Sequence, residues 1–115
     1  MALTRIDPSK RLSGAVVHGD TVYLAGQVAD NTRADVKGQT QEVLAKIDGL
    51  LAKAGSSKSK LVSVTIYLAD IRHFAAMNSV WDAWVDPANL PARATVEARL
   101  ASPENLVEIM VVAAR

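Results

Sequence analysis

The hydrophobic periodicity of this chain predicts an α+β two-layer sandwich, a mixed sheet of five or six strands with two helices on one face. Three observations carry that expectation. Runs with strand-like alternation or strongly β-forming residues lie near both ends and in the middle, two stretches with helical spacing separate them, and turn-forming clusters fall where one pattern gives way to the next. At 115 residues, half of them apolar, the chain suits a single domain over residues 1–115. With only two Trp, two Tyr and one Phe, the core must be filled mainly by Val, Leu, Ile and Ala.

Taken in order, residues Leu3 to Ile6 could supply an extra first strand. Ala15 to Ala25 reads as a hairpin about Gly19-Asp20, because Gly accepts the positive φ of a tight turn. Gly26 ends its second strand, and Asp30-Asn31-Thr32 forms a loop rich in turn and cap residues. From about Asp35, Val43, Leu44, Ile47, Leu50, Leu51 and Ala54 recur on one side of a helix that Gly55 stops. Val62, Val64, Ile66 and Leu68 alternate with Ser63, Thr65 and Tyr67, the pattern of a strand with one apolar face. Asp70 can cap a second helix, whose stripe is Phe74, Met77, Trp81 and Trp84 with Val85 alongside. After the loop Asp86 to Pro91, strands are expected over Ala94 to Leu100 and Leu106 to Ala114, joined by Ser102-Pro103-Glu104-Asn105. If the sheet face away from the helices is apolar, another copy of the chain must cover it.

The formal net charge is +1 and the charges are interspersed, without the basic stripe that phosphate backbones select, so no nucleic-acid partner is expected. The three lysines of the stretch Lys53 to Lys60 sit among Ser and Gly, as in a solvated loop. The chain has no cysteine, which excludes disulfides, thiolate catalysis and cysteine metal sites. The residues from Met1 to Asp7 do not resemble a secretory leader and no apolar run is long enough for a membrane span, so a cytoplasmic protein without membrane association is expected.

Few residues carry chemical promise. His18 and His73 stand far apart, make no metal-binding pair and read as surface residues, and no phosphate or dinucleotide loop occurs. No metal and no organic cofactor is therefore expected. Arg93 follows Pro91-Ala92 where a loop feeds a strand, and its rigid fork of donors suits a carboxylate. On its own chemistry a structural ion pair is the commoner outcome for such an arginine. Glu108 is the one charge in Leu106 to Val112, so it must find a partner, with Arg93 or Arg99 as candidates, or serve to orient water. Glu97 offers the same choice or an outward face, and Asn78 stands close enough to the apolar stripe to need a specific hydrogen bond.

Together these residues fall into a familiar order. Tyr23-Leu24-Ala25-Gly26-Gln27, Gln39-Thr40, Ala54-Gly55, Tyr67-Leu68-Ala69-Asp70, Met77-Asn78, Pro91-Ala92-Arg93-Ala94-Thr95-Val96-Glu97 and Val107-Glu108-Ile109 occur in sequence with characteristic spacing. In this the chain resembles the RidA/YjgF family of reactive-intermediate deaminases from about Leu12 to Ala114. The resemblance implies a chorismate-mutase-like fold and a homotrimer with clefts between subunits. It also implies hydrolysis of 2-imino acids, or their enamine tautomers such as 2-aminoacrylate, to 2-keto acids and ammonia without a cofactor. By the same resemblance Arg93 would bind the substrate carboxylate and Glu108 would hold the attacking water. Ala25, Gly26, Ala94 and Thr95 would shape the pocket, with Asn78 beside it. A non-catalytic protein that binds a small carboxylate is the alternative, and ribonuclease or holdase activity a more distant one. The chain departs from the family pattern at Leu12, where many members carry a tyrosine, at Thr95, where a cysteine is common, and at Trp81 and Trp84, where smaller aromatics are usual.

Overall fold

The computed structural model describes residues 1–115. Six strands and two α-helices form in the order β1 (Leu3–Pro8), β2 (Ser13–His18), β3 (Thr21–Leu24), α1 (Val36–Lys53), β4 (Leu61–Leu68), α2 (Phe74–Trp84), β5 (Ala92–Glu97) and β6 (Val107–Ala114). The strands make one mixed sheet in the order β1-β2-β3-β6-β4-β5. Only β4 and β5 run parallel, joined across the sheet by α2; every other neighbouring pair is antiparallel. A parallel pair cannot be closed by a tight turn, so the chain needs the length of α2 between these two strands.

The expected hairpin forms, with Gly19 left-handed at φ 60 between His18 and Thr21. The Asp35 carboxylate caps α1 by accepting from the Gly38 N–H at 2.9 Å. Its other end closes with Gly55 N–H donating to the Ala52 carbonyl and Ser56 N–H to the Leu51 carbonyl, the paired bonds that satisfy the last carbonyls of a helix. Between those ends Val43, Leu44, Ile47 and Leu51 are fully buried against the sheet. Their partners are Val22, Ile66, Leu68, Val107, Ile109 and Val111, so the core lies wholly between the sheet and the two helices.

Three expectations need correction. Val62 does not share the inner face of its strand: an irregularity between Leu61 and Ser63 turns Leu61 inward and leaves Val62 53% exposed. The fifth strand begins at Ala92 and ends at Glu97 rather than running from Ala94 to Leu100. Its length is set by its neighbour. The Ala98 N–H makes the last bond, to the Leu68 carbonyl where β4 stops, and residues beyond it have no strand to pair with. Finally, Asp70 caps a short 3₁₀ turn, Ile71–His73, which leads into α2, rather than α2 itself. Glu97 is exposed but on the helix side of β5, like Arg93 and Thr95, and accepts from the Ile71 N–H at 3.0 Å, so the turn is held from two sides.

No helix covers the second face of the sheet, which only the segment after β5 borders. Tyr23, Met110 and Val96 are 48%, 37% and 42% exposed there, on β3, β6 and β5. No helix is long and apolar enough to cross a membrane.

Candidate functional site

Arg93 is the second residue of β5, an edge strand, and its register partner is Val64. Val64 is buried on the helix-covered face, and residues paired across neighbouring strands point the same way. Arg93 accordingly projects toward α2, where its guanidinium carbon lies 5.2 Å from the centre of the Trp81 ring and 5.9 Å from that of Phe74. Burial pulls the guanidinium below its ordinary pKa, and the negative charge of Asp82 partly offsets this. Asn78 lies between Phe74 and Trp81 on the same stripe of α2, and Thr95 projects from β5 on the same side as Arg93. The hydrogen bond expected of Asn78 is not made: its side-chain oxygen and the Thr95 hydroxyl are both buried without a partner.

Glu108 occupies the second position of β6, paired with Tyr67 and set between the buried Val107 and Ile109. Alternation therefore sends it to the uncovered face. It borders a cavity of about 270 Å³ lined also by Tyr67, Arg99, Leu100 and Met110. Gly26 follows β3 immediately beneath it, and any Cβ at that position would collide with the Glu108 carboxylate. The segment is pinned there by Gln27 N–H to the Ile109 carbonyl, Ile109 N–H to the Gln27 carbonyl and Ala25 N–H to the Gly14 carbonyl. Ala25 and Gly26 also border a second cavity of about 460 Å³, between the mouth of the hairpin and α1, with Leu12, Gly14, Gly49 and Leu50.

The expected partners of Glu108 do not reach it. The ion pairs of the chain join Lys46 to Asp30 and Glu42, Lys53 to Asp7, and Arg72 to Asp70, and include neither Arg93 nor Glu108. Within one chain Arg93 and Glu108 are also far apart. Strand β4 lies between them, their partners Val64 and Tyr67 are three positions apart along it, and they face opposite ways. Strand spacing and rise place their backbones roughly 14 Å apart. The chain thus groups the candidate residues into two half-sites: Arg93, Thr95 and Asn78 at the β5 edge with α2, and Glu108 with Ala25 and Gly26 on the uncovered face. Ala94 is exposed on that uncovered face of β5 and belongs to neither cluster. His18 is exposed at the end of β2, whereas His73 is half-buried, with its Nδ1 unpartnered. No cluster of three or more His, Cys, Asp or Glu side chains could hold a metal ion.

Phe74 is the residue whose part the sequence conceals. Its helical position suggests core, yet it is 43% exposed and stands against Arg93. Only the pairing of β5 with β4 brings the two together.

Fold and half-sites define a class: small α+β domains of one six-stranded sheet and two helices, with candidate binding residues at an open face and an open edge. The sequence model of the family described as Endoribonuclease L-PSP matches residues 2–115. A RutC family protein of Haemophilus influenzae is 48% identical over 114 residues, covering 98% of both chains. The RutC family protein YoaB of Escherichia coli is 48% identical over 114 residues, covering 99% of both. The crystal structure of a YjgF family member from Neisseria meningitidis superposes with a TM-score of 0.97 at 43% identity, over 100% of this chain and 96% of that one. A Pseudomonas aeruginosa structure gives a TM-score of 0.96 at 41% identity, over 99% of each chain. The chain belongs to this RutC/YjgF family, and the RidA/YjgF resemblance and the α+β sandwich stand.

Proposed function

We propose that this protein hydrolyses 2-imino acids to 2-keto acids and ammonia, in sites that two copies of the chain build together within a homotrimer. The observation that carries the proposal is the pair of unpaired, half-buried charges, Arg93 and Glu108, that one chain holds on opposite faces of its sheet. A guanidinium partly stripped of water and without a carboxylate from its own chain favours an anion from outside. A contact between the β5 edge of one copy and the Glu108 face of the next joins two different surfaces. Contacts of that kind build rings when the rotation between copies closes, and three copies at 120° make such a ring. A ring would also cover the apolar open face.

The chemistry needs little else. A protonated imine is already electrophilic, so the site must position, desolvate and move protons. Arg93 grips the substrate carboxylate in a two-pronged contact, and Glu108 of the adjacent copy accepts a hydrogen bond from water and aims it at the imine carbon. As the water oxygen bonds to that carbon, the C=N π electrons move to nitrogen and Glu108 takes the water proton. Glu108 passes that proton to the nitrogen of the carbinolamine, takes the hydroxyl proton as the C–N bond breaks and the carbonyl forms, and gives it up to the departing ammonia. Holding the reactants in place can contribute roughly 7–11 kcal/mol to such a step. RNA cleavage, the activity in the matched family's description, finds less support in a chain of net charge +1 whose two histidines lie at different ends of the fold.

The test uses two variants. Arg93→Ala and Glu108→Gln are each expected to remove deamination of 2-iminopropanoate generated in situ by an amino-acid oxidase, with residual imine trapped by semicarbazide. Refolded together as mixed trimers, they should regain about a quarter of wild-type activity, because each mixed ring keeps one intact site. An inactive mixture of well-assembled trimers would place both residues in one site of one chain or outside the site. No turnover of any imino acid by the wild type, with keto acid still bound at Arg93, would leave a carboxylate-binding protein.

A further inference from the structure

We propose that Trp81 and Phe74 are positioning residues that hold the Arg93 fork ready for a carboxylate. The inference rests on the assignment of Arg93 as the carboxylate-binding group and goes beyond it, to what fixes that arginine in space. A long side chain at a sheet edge normally loses rotamer freedom when it grips a ligand, which weakens binding. Here that freedom is already limited. No carboxylate of the chain forms an ion pair with Arg93, and no hydrogen bond to another side chain holds it. What it has instead are two aromatic rings, at 5.2 Å and 5.9 Å from its guanidinium carbon.

The two rings sit seven positions apart on α2, two turns of helix, so the cation lies between them along the helix face. Attraction between a guanidinium and the ring faces is electrostatic, and it leaves the N–H groups uncommitted. An aspartate in the same place would hold the arginine equally well but would occupy the donors that a substrate needs. Trp81 is itself fixed. It is buried, and its ring lies 5.5 Å from that of Trp84, whose indole N–H donates to Asp48 at 2.9 Å while Lys58 lies over its ring. Phe74, by contrast, is open to solvent and forms the accessible side of the clamp. A chain of contacts thus runs from α1 through both tryptophans to the arginine.

The position of Trp81 also supplies a readout. A carboxylate seated on Arg93 changes the charge next to the indole, so titration with 2-oxobutanoate should give a saturable change in tryptophan fluorescence. The uncharged methyl ester should give none. Phe74→Leu, a change at an exposed position, is expected to weaken 2-oxobutanoate binding and raise KM for the imino acid by about three- to tenfold with kcat little changed. Trp81→Leu should do the same by about tenfold, and Trp81→Phe should recover most of the loss. In an Arg93→Lys background the Trp81 and Phe74 substitutions should have much smaller effects, because the planar group they hold is gone.

If Phe74→Leu and a folded Trp81→Leu bind 2-oxobutanoate as tightly as the wild type, the positioning role is overturned. Effects equal in the Arg93→Lys background, or falling on kcat alone, would overturn it too. Should the wild type bind keto acid with this aromatic dependence yet turn over no imino acid, the clamp stands and the deaminase assignment falls.

Discussion

Strand β6 places two different surfaces on the two sides of one backbone. Toward the helices it presents Val107, Ile109, Val111 and Ala113, each essentially closed to solvent. On the other side it presents Glu108, Met110 and Val112, none of which any part of the chain covers fully. Both sides are largely apolar, so residue type does not separate them. What separates them is that α1 and α2 both pack on the first. The closed side contains the means to fold one chain. The open side gains its cover, on our proposal, only from another copy, and the candidate chemistry lies there and at the β5 edge. In such a design a substitution one position along a strand changes which property fails.

That contrast can be broken most sharply on β6. Ile109→Ala removes buried methyl groups from a packed layer and should lower unfolding stability by about 2–5 kcal/mol at any protein concentration. Met110→Asp, one residue away, should leave far-ultraviolet circular dichroism intact while light scattering reports a smaller particle. Any stability it loses should depend on protein concentration, as expected when assembly supplies that stability. If both variants unfold alike at every concentration, the two faces are not independent.

A smaller and more local test lies at Gly26. A methyl group added there would collide with the Glu108 carboxylate from below. Gly26→Ala should therefore displace Glu108 and lower deaminase activity about a hundredfold, the scale set by misplacing a reacting group by around 1 Å. Thermal stability should change little, because Gly26 is exposed and lies beyond the end of β3. Equal losses of stability and activity would show that Gly26 serves the fold rather than the carboxylate.

The closed side was the more legible from sequence. Val43, Leu44, Ile47 and Leu51 follow helical spacing, and the buried residues of β6 follow strict alternation, because burial on one side imposes a period that can be counted. Features set by strand pairing were less so. The turn from Val62 to Leu61 arises from an irregularity against β6, and the start of β5 at Ala92 arises from its parallel register with β4. Neither leaves a mark on local periodicity. The candidate site shows the same division. Arg93 and Glu108 stand out by charge and context, but that they face opposite ways follows only from their separate registers on β4. Phe74 reads as core because a helical stripe does not reveal where the sheet ends beneath it.

The mildest probe concerns the edge where the two faces meet. Asp70 caps the turn that starts α2, and α2 begins with Phe74, so this carboxylate sets the entry to the Arg93 half-site. The Arg72 guanidinium first, and the Arg72 backbone N–H second, lower its pKa from 3.8 to about 2. A carboxylate with a lower pKa in the folded state stabilises the fold above its ordinary range, and that contribution fades as pH falls toward the folded value. Asp70→Asn should therefore melt slightly below the wild type at pH 7, with the two curves converging between about pH 4 and pH 2. Glu42, Asp86 and Glu104 are also lowered, by hydrogen bonds of their own, so both proteins will lose stability in acid. Only the difference between them isolates Asp70. Because the cap is half-buried at the surface, outside the core, and α2 is also held by Met77 and Trp81 in the core, the closed face should survive its loss, and any activity change should appear in KM. A difference in melting temperature that stays constant down to pH 2 would show that the charge of Asp70 has no part in holding the helix that carries the clamp.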